Sequence, residues 1–372
     1  MRYRKLQLMI FAFCIAISCI VIYHNSSTYY RLQKVLKGRL LQRAVFSNVT
    51  YRNVNTVRYN VTTQTPPEQK PTPIPLRGWQ QNVQWEPGAE LDIYDFLINP
   101  VDKCNAGKDN ITLLVLIKSA PGNTRRRDAA RRTYISGAAK LNVSTRLLFI
   151  VGDTKARNER KNIQIEALRH RDILNVGFHD GYYNLTIKLV MGFKWALQFC
   201  NNSEFLMSID DDVMVDIVTL VNDLDALPSK DHFQFVLGSK VEGSKPFRDV
   251  ESKRYIPKNF YPAKTYPPYS FGHGYVMSRH VVEELYLISR EIPATMPFDD
   301  VYCGILLDKL SIRIVDRSTW FKDHHPQKKE QDYLKIEVSA QEMEKAWKCL
   351  GEDKLTSTWS MCFFCWGMRC IY

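Results

Sequence analysis

Two hydrophobic rhythms alternate along this chain from residue 111 onward. Residues 111–117 (ITLLVLI) form a nearly continuous apolar run, the pattern of a parallel strand buried on both faces. A basic helical stretch follows at 124–134, and residues 146–151 (RLLFIV) read as a second strand, closed by Gly152-Asp153. Residues 156–169 predict a helix. Residues 183–199 predict a longer one, with Leu185, Leu189, Phe193 and Leu197 four apart. Residues 205–209 are another buried strand, ending in Asp210-Asp211-Asp212. A helix at 216–224 and a strand at 233–239 come next. A loop rich in Pro and Tyr (255–272) then leads to Gly272-His273-Gly274-Tyr275-Val276-Met277, and helices follow at 279–289 and 299–310. Strands alternating with helices imply an α/β sheet with crossover connections.

The first 105 residues have a different character. Arg2, Arg4 and Lys5 precede an uncharged run of eighteen residues, 6–23, just long enough to span a bilayer as a helix. Positive charge before the run and a large domain after it predict a signal anchor with the bulk in a lumen; a cleaved signal peptide is the alternative. Asn-x-Ser/Thr triplets at Asn25, Asn48, Asn60, Asn110, Asn142, Asn184 and Asn201 agree with a lumenal side. Residues 24–105 read as a stem with a Pro-rich linker at 65–75, and part of 79–100 is expected to pack on the domain through Trp79, Trp85, Leu91, Tyr94 and Phe96. Nine cysteines include seven beyond the apolar run, so most should pair in an oxidising lumen; Cys362-x-x-Cys365 lacks partners for a zinc site. The expected layout is a cytosolic tail (1–5), an anchor (6–23), a stem (24–105), a catalytic domain (106–350) and a Cys-rich tail (351–372). The excess of 51 Lys+Arg over 39 Asp+Glu fits an anionic membrane surface or a phosphorylated small substrate. No zinc-finger spacing or RNA-binding signature accompanies it, so no nucleic acid is expected.

Several residues could carry chemistry. An apolar strand delivering acids to its carboxyl end places them where ligands bind in open α/β sheets. Alternation would set Asp210 and Asp212 on one face and Asp211 on the other. Two such carboxylates suit a hard divalent cation that takes further oxygens from phosphate; a solvated acidic turn is the alternative. Lys118, Arg125, Arg126, Arg127, Arg131 and Arg132 follow the first strand, where cations could hold a diphosphate. Five arginines cannot all do so, and most would form a solvated helix face. Asp299 and Asp300 stand at a helix start, as an N-cap or as a general base beside a substrate hydroxyl. Gly272 and Gly274 would let a substrate approach the backbone closely. His273 between them is either a hydroxyl or phosphate contact or a packed histidine.

In order along residues 111–347, these blocks resemble the β-1,3-glycosyltransferases of the galactosyltransferase / N-acetylglucosaminyltransferase type, Golgi type II membrane enzymes. The blocks are Ile117-Lys118-Ser119; Arg126-Arg127-Asp128-Ala129-Ala130-Arg131-Arg132-Thr133-Tyr134; Tyr183-Asn184-Leu185-Thr186-Ile187-Lys188; Asp210-Asp211-Asp212-Val213; Tyr266-Pro267-Pro268-Tyr269 with Gly272-His273-Gly274-Tyr275; and Asp299-Asp300-Val301-Tyr302-Cys303-Gly304. The resemblance implies a GT-A type, Rossmann-like nucleotide-sugar-binding domain behind the anchor and stem. It implies a UDP-sugar donor, Mn²⁺, a glycan acceptor on protein or lipid, and inverting transfer to a 3-hydroxyl, with galactose favoured and N-acetylglucosamine or N-acetylgalactosamine as alternatives. Asp212 would be the direct metal ligand with Asp210 in support. Asp300, with Asp299 beside it, would take the acceptor proton. Lys118, Arg127, Arg131, Lys188, Asp210 and Asp211 would face the nucleotide-sugar, Asp211 with a structural role as alternative. Tyr269, Gly272, His273 and Gly274 would contact acceptor or donor. Residence in the Golgi membrane follows, with a homodimer or transferase complex open.

The chain departs from the family pattern at Tyr134, where Trp is usual, and at Ser208, where Lys is common. A histidine often found ahead of Ser339-Ala340-Gln341-Glu342-Met343 is missing. These departures leave room for a non-catalytic chaperone or partner subunit, or for a glycan-binding protein using Tyr255, Tyr261, Tyr266 and Tyr269.

Overall fold

An eight-residue strand without one exposed side chain, β2 (Ile111–Lys118), is the centre of the sheet. Its odd residues Leu113, Val115 and Ile117 enter one hydrophobic core and its even residues Leu114 and Leu116 enter another. That is why the run is apolar throughout rather than alternating. The computed structural model describes residues 93–104, 110–227, 234, 236–292, 296–317 and 334–350, all within the unit Ile74–Tyr372. The apolar run at 6–23, the Pro-rich linker and the Cys362-x-x-Cys365 motif lie outside the described residues. No helix among the described residues is long and apolar enough to cross a membrane.

The other strands are β1 (Phe96–Ile98), β3 (Thr145–Asp153), β4 (Ile173–His179), β5 (Ser203–Asp210), β6 (Met214–Val215), β7 (Val236–Val241), β8 (Tyr269–Ser278), β9 (Val315–Asp316) and β10 (Leu334–Lys335). The main sheet runs β1-β4-β3-β2-β5-β8-β7-β9, and β10 pairs with β6 separately. β4, β3, β2 and β5 are parallel, as crossover connections require. β1, β8 and β7 add antiparallel pairs, so the sheet is mixed. The helices are α1 (Thr124–Ala130), α2 (Ser136–Lys140), α3 (Arg157–His170), α4 (Leu185–Phe199), α5 (Ile217–Asp225), α6 (Arg279–Ser289), α7 (Asp299–Lys309) and α8 (Ala340–Leu350). Residues of α4, α6 and α7 cover the face of Leu114 and Leu116; residues of α1, α3, α5 and α8 cover the other.

The helix expected at 124–134 is interrupted. A π-helical turn, Arg131–Ile135, separates α1 from α2, and Thr133 has a non-helical backbone there. β4 has no counterpart among the strands read from the sequence, because Asn175 and Gly177 break its apolar pattern. Burial of Asn175 is tolerated because its amide donates to Val151 O and Gly152 O at 3.1 and 3.0 Å. β1 and Cys104 extend the fold into residues expected to be stem: β1 pairs with β4, and Cys104 is disulfide-bonded to Cys200. Cys303 is free and buried.

β2 has β3 on one side and β5 on the other, so the winding reverses between β2 and β5. In open α/β sheets such a reversal opens a crevice at the carboxyl ends of the two strands. α7 is drawn close to the segment entering β8 by Gly304, where a β-carbon would lie 2.4 Å from Tyr269 Cβ and 2.9 Å from the Pro268 carbonyl. Gly304→Ala is expected to destabilise the protein by about 1–3 kcal/mol, the usual cost of overpacking. This would register as a lower urea midpoint at unchanged m-value; an unaltered midpoint would refute the tight seat of α7.

Candidate active site

The parallel register sets Lys118 beside Asp210, so the crevice begins with an ammonium next to a carboxylate. Lys118 lies on the same strand face as Leu114 and Leu116 and meets α7 there, only 4% exposed. Its Nζ lies 2.5 Å from Asp299 Oδ2 and 3.2 Å from Asp210 Oδ1, and it donates to Gly272 O at 3.3 Å. Burial alone would lower the pKa of this ammonium. Asp210 and Asp299 outweigh that effect, and the net direction is upward. One side chain thus joins β2, β5, β8 and α7.

The aspartate triplet divides among three environments. β5 ends at Asp210, so Asp211 and Asp212 follow a turn rather than strand alternation. Asp211 is buried. Its Oδ2 accepts from Ser119 Oγ at 2.6 Å and Asn123 Nδ2 at 2.8 Å, and its Oδ1 from Arg126 Nη1 at 3.0 Å. Those bonds tie the β2–α1 loop to the end of β5, so the expected nucleotide contact gives way to the structural role. Asp212 Oδ2 lies 3.8 Å from Arg126, while its Oδ1 is buried without a hydrogen-bond partner. Burial pushes the pKa of both Asp210 and Asp212 upward; Lys118 and Arg126 respectively pull against it.

Asp299 and Asp300 occupy the first turn of α7, where the helix dipole favours negative charge. Neither is the cap; Phe298 holds that position. Asp299 turns inward to Lys118. Asp300 is half-buried against Gly272, where a β-carbon would come within 3.0 Å of Asp300 Oδ2. Its Oδ1 accepts from Val301 N at 2.7 Å. Burial first, and the neighbouring Asp299 second, raise its pKa to about 7. Tyr269 is half-buried near it, with its hydroxyl 3.3 Å from Ser244 Oγ.

Asp210, Asp211, Asp212, Asp299 and Asp300 surround Lys118 and Arg126: five formal negative charges against two positive ones, three in excess. Such an excess suits a divalent cation. Among the described residues no group of three or more His, Cys, Asp or Glu side chains is arranged to hold a metal. The unpartnered Asp212 Oδ1 and the equally buried, unpartnered His273 Nδ1 nevertheless fit a divalent cation that completes its shell with phosphate oxygens.

A cleft of about 360 Å³ lies at the carboxyl ends of β2, β3 and β4. Ala120, Gly122, Asn123, Asp153, Asp180 and Tyr182 are among its lining residues. Tyr182 links it to the carboxylates: burial raises its pKa, and Asp300 and Asp210 lie near enough to raise it further. Three cations expected at the nucleotide stand behind this cleft instead. Arg127 is fully buried, and its guanidinium is spent on Glu166, Ser119 Oγ, Thr124 Oγ1 and the carbonyls of Ala120 and Pro121. Arg131 is held by Asp172, Glu166 and Asp128. Lys188 donates to Ser119 O at 2.8 Å and pairs with Asp180 at 2.9 Å. Arg127 and Lys188 shape the loop and the cleft wall, and Arg131 shares Glu166 with Arg127, rather than facing a ligand. Asn123 and Tyr182 were not singled out from sequence, although both lie in the segments that follow strand ends, the position that could have flagged them.

Removing a buried cation between two carboxylates leaves uncompensated charge, which costs about 3–5 kcal/mol. Lys118→Met should lose that much in denaturant unfolding, and adding Asp299→Asn should restore part of it. A single variant as stable as the wild type, or no recovery in the double variant, would show that the three groups are not coupled.

Residues 125–318, just over half of the chain, match the family model described as Galactosyltransferase. A lactosylceramide 1,3-N-acetyl-β-D-glucosaminyltransferase of Xenopus tropicalis is 35% identical over 228 residues, 59% of this chain and 59% of that protein. The Homo sapiens protein of the same name is 33% identical over 225 residues with the same coverage. The chain therefore spans about 59% of the length of these curated relatives. A glycosyltransferase involved in glycosylation of the major capsid of PBCV-1 superposes at a TM-score of 0.36 with 9% identity, covering 64% of this chain and 98% of that one; nothing is carried over at that score. On the match over residues 125–318, the chain belongs to the galactosyltransferase family.

Proposed function

We propose that this protein transfers N-acetylglucosamine from a UDP-sugar to the 3-hydroxyl of a glycan acceptor, forming a β-1,3 linkage with inversion. The observation that carries this reading is Asp300, a half-buried carboxylate with a pKa raised to about 7, at the head of α7 beside the crevice. A base with a pKa near the working pH is the most effective proton acceptor. The preference for N-acetylglucosamine over galactose is supported by the names of the relatives. Their named substrate, lactosylceramide, makes a galactose-terminated glycolipid the acceptor to test first.

In this proposal the uridine lodges in the cleft lined by Asn123, Asp153 and Tyr182, and the diphosphate extends toward Asp212. Asp212, with Asp210 nearby, would hold a divalent cation such as Mn²⁺, which when bound would supply positive charge at the diphosphate. Asp300 accepts the proton of the acceptor hydroxyl as that oxygen attacks the anomeric carbon from the side opposite UDP. The bond from that carbon to the diphosphate breaks, and no covalent enzyme intermediate forms. Lys118 holds Asp299 inward, which leaves Asp300 as the carboxylate facing the acceptor. Anchorage in the Golgi membrane through residues 6–23 belongs to the same proposal, and rests on the uncharged run and the Asn-x-Ser/Thr triplets.

A screen of UDP-N-acetylglucosamine, UDP-galactose and UDP-N-acetylgalactosamine against a lactosyl acceptor, with and without Mn²⁺, tests the reading. Metal-dependent transfer of N-acetylglucosamine is expected; transfer of galactose alone, or of no sugar, would sink it.

Asp300→Asn should lower kcat/KM by about 10²–10⁴-fold, the usual contribution of a general base. In the wild type, kcat/KM should rise with pH through about 7, because the base must be unprotonated. Stability runs the other way. The folded pKa of Asp300 lies above that of an unfolded aspartate, so its ionisation costs stability as pH rises from about 4 to about 7. Asp300→Asn should therefore melt no lower than the wild type at pH 8. A variant that is both inactive and less stable would point to a structural role instead.

A further inference from the structure

We propose that His273 is a second protein ligand to the divalent cation, acting with Asp212. The inference rests on the metal-dependent reading above and adds a residue to it. Buried polar atoms in folded proteins almost always have partners, so those left without one call for an explanation. Among the described residues the unpartnered buried atoms are five of little use to a cation on their own (the hydroxyls of Tyr134, Ser208, Ser270 and Tyr275, and Asn184 Oδ1) and two that are strong ligands, Asp212 Oδ1 and His273 Nδ1.

Those two belong to one place. β5 and β8 pair antiparallel with Ile209 opposite Gly274, so His273 enters the crevice at the level where β5 ends and the turn to Asp212 begins. Both groups are held. The Asp212 carbonyl accepts from Val338 N at 2.8 Å, and the His273 ring packs on Phe271 with centroids 4.6 Å apart. Arg126 approaches Oδ2 of Asp212, which leaves Oδ1 as the ligand atom. A neutral imidazole protonated at Nε2 presents a lone pair at Nδ1. One carboxylate oxygen and one imidazole nitrogen, completed by phosphate oxygens and water, form a mixed N,O set. Such a set favours a transition-metal ion such as Mn²⁺ over Mg²⁺, which prefers oxygen alone.

The test is Mn²⁺ binding to the purified full chain at saturating UDP, followed by electron paramagnetic resonance. Pulsed spectra of the wild type should show a directly coordinated nitrogen that changes on ¹⁵N-histidine labelling. His273→Ala should lose that coupling and weaken Mn²⁺ binding by about 10-fold or more, since even groups that only orient a ligand are worth that much. Its Mg²⁺ affinity should change less. Asp212→Asn should abolish binding. If the wild type binds Mn²⁺ with no histidine nitrogen coupled, and His273→Ala binds it equally well, His273 is not a ligand while the metal site at Asp212 stands. If the wild type binds no Mn²⁺ even with UDP, the metal-dependent reading falls and this inference with it. The labelled wild-type spectrum decides the matter even if a variant fails to fold.

Discussion

The buried ammonium of Lys118 is the constraint on which the site depends. It brings the end of β2, the end of β5, the Gly272 carbonyl and the first turn of α7 to one point. Desolvating an ammonium is costly, and only two close carboxylates with good geometry offset it. The consequence is a division of labour in α7: Asp299 is held inward, and Asp300, one residue on, is left at the crevice with a raised pKa. Burial and the neighbouring Asp299 charge raise that pKa, while Lys118 pulls it down.

A second layer of charge stands behind the first. Arg127, Arg131 and Lys188 resemble ligand contacts by position, since they follow the strand or motif where a phosphate would lie. Each is instead enclosed and paired, with Glu166, Asp172 and Asp180 as counterions. Through Ser119, Ala120 and Pro121, Arg127 and Lys188 fix the loop that forms one wall of the cleft. A planar guanidinium with five donors is suited to this, because it can hold a carboxylate and several carbonyls at once. Part of the basic content of the chain is therefore interior architecture, neutralised where it stands.

Several elements were legible from residues alone. The runs that became β2, β3 and β5 are apolar on both faces because both faces are covered, and α3, α4, α5, α6 and α7 fall within one or two residues of their expected positions. β4 was not legible, because Asn175 and Gly177 hide a buried strand whose polar atom is satisfied only by a neighbouring strand. The antiparallel β8 was hidden as well: its first residues fall in the Pro- and Tyr-rich loop and 272–277 carried no assigned element, since the strand is defined only by pairing with β5 and β7.

What the sequence determined by itself was which segments are buried and which residue types stand at strand ends, since hydrophobicity and periodicity are local properties. Tertiary structure alone decided which charges meet. Lys118 and Asp299 are 181 residues apart, Ser119 and Asp211 are 92 apart, and Arg127 and Glu166 are 39 apart. No local pattern records such pairings. They arise when the sheet closes and water is excluded, and only then is one aspartate of a pair committed to a lysine and the next left at the crevice.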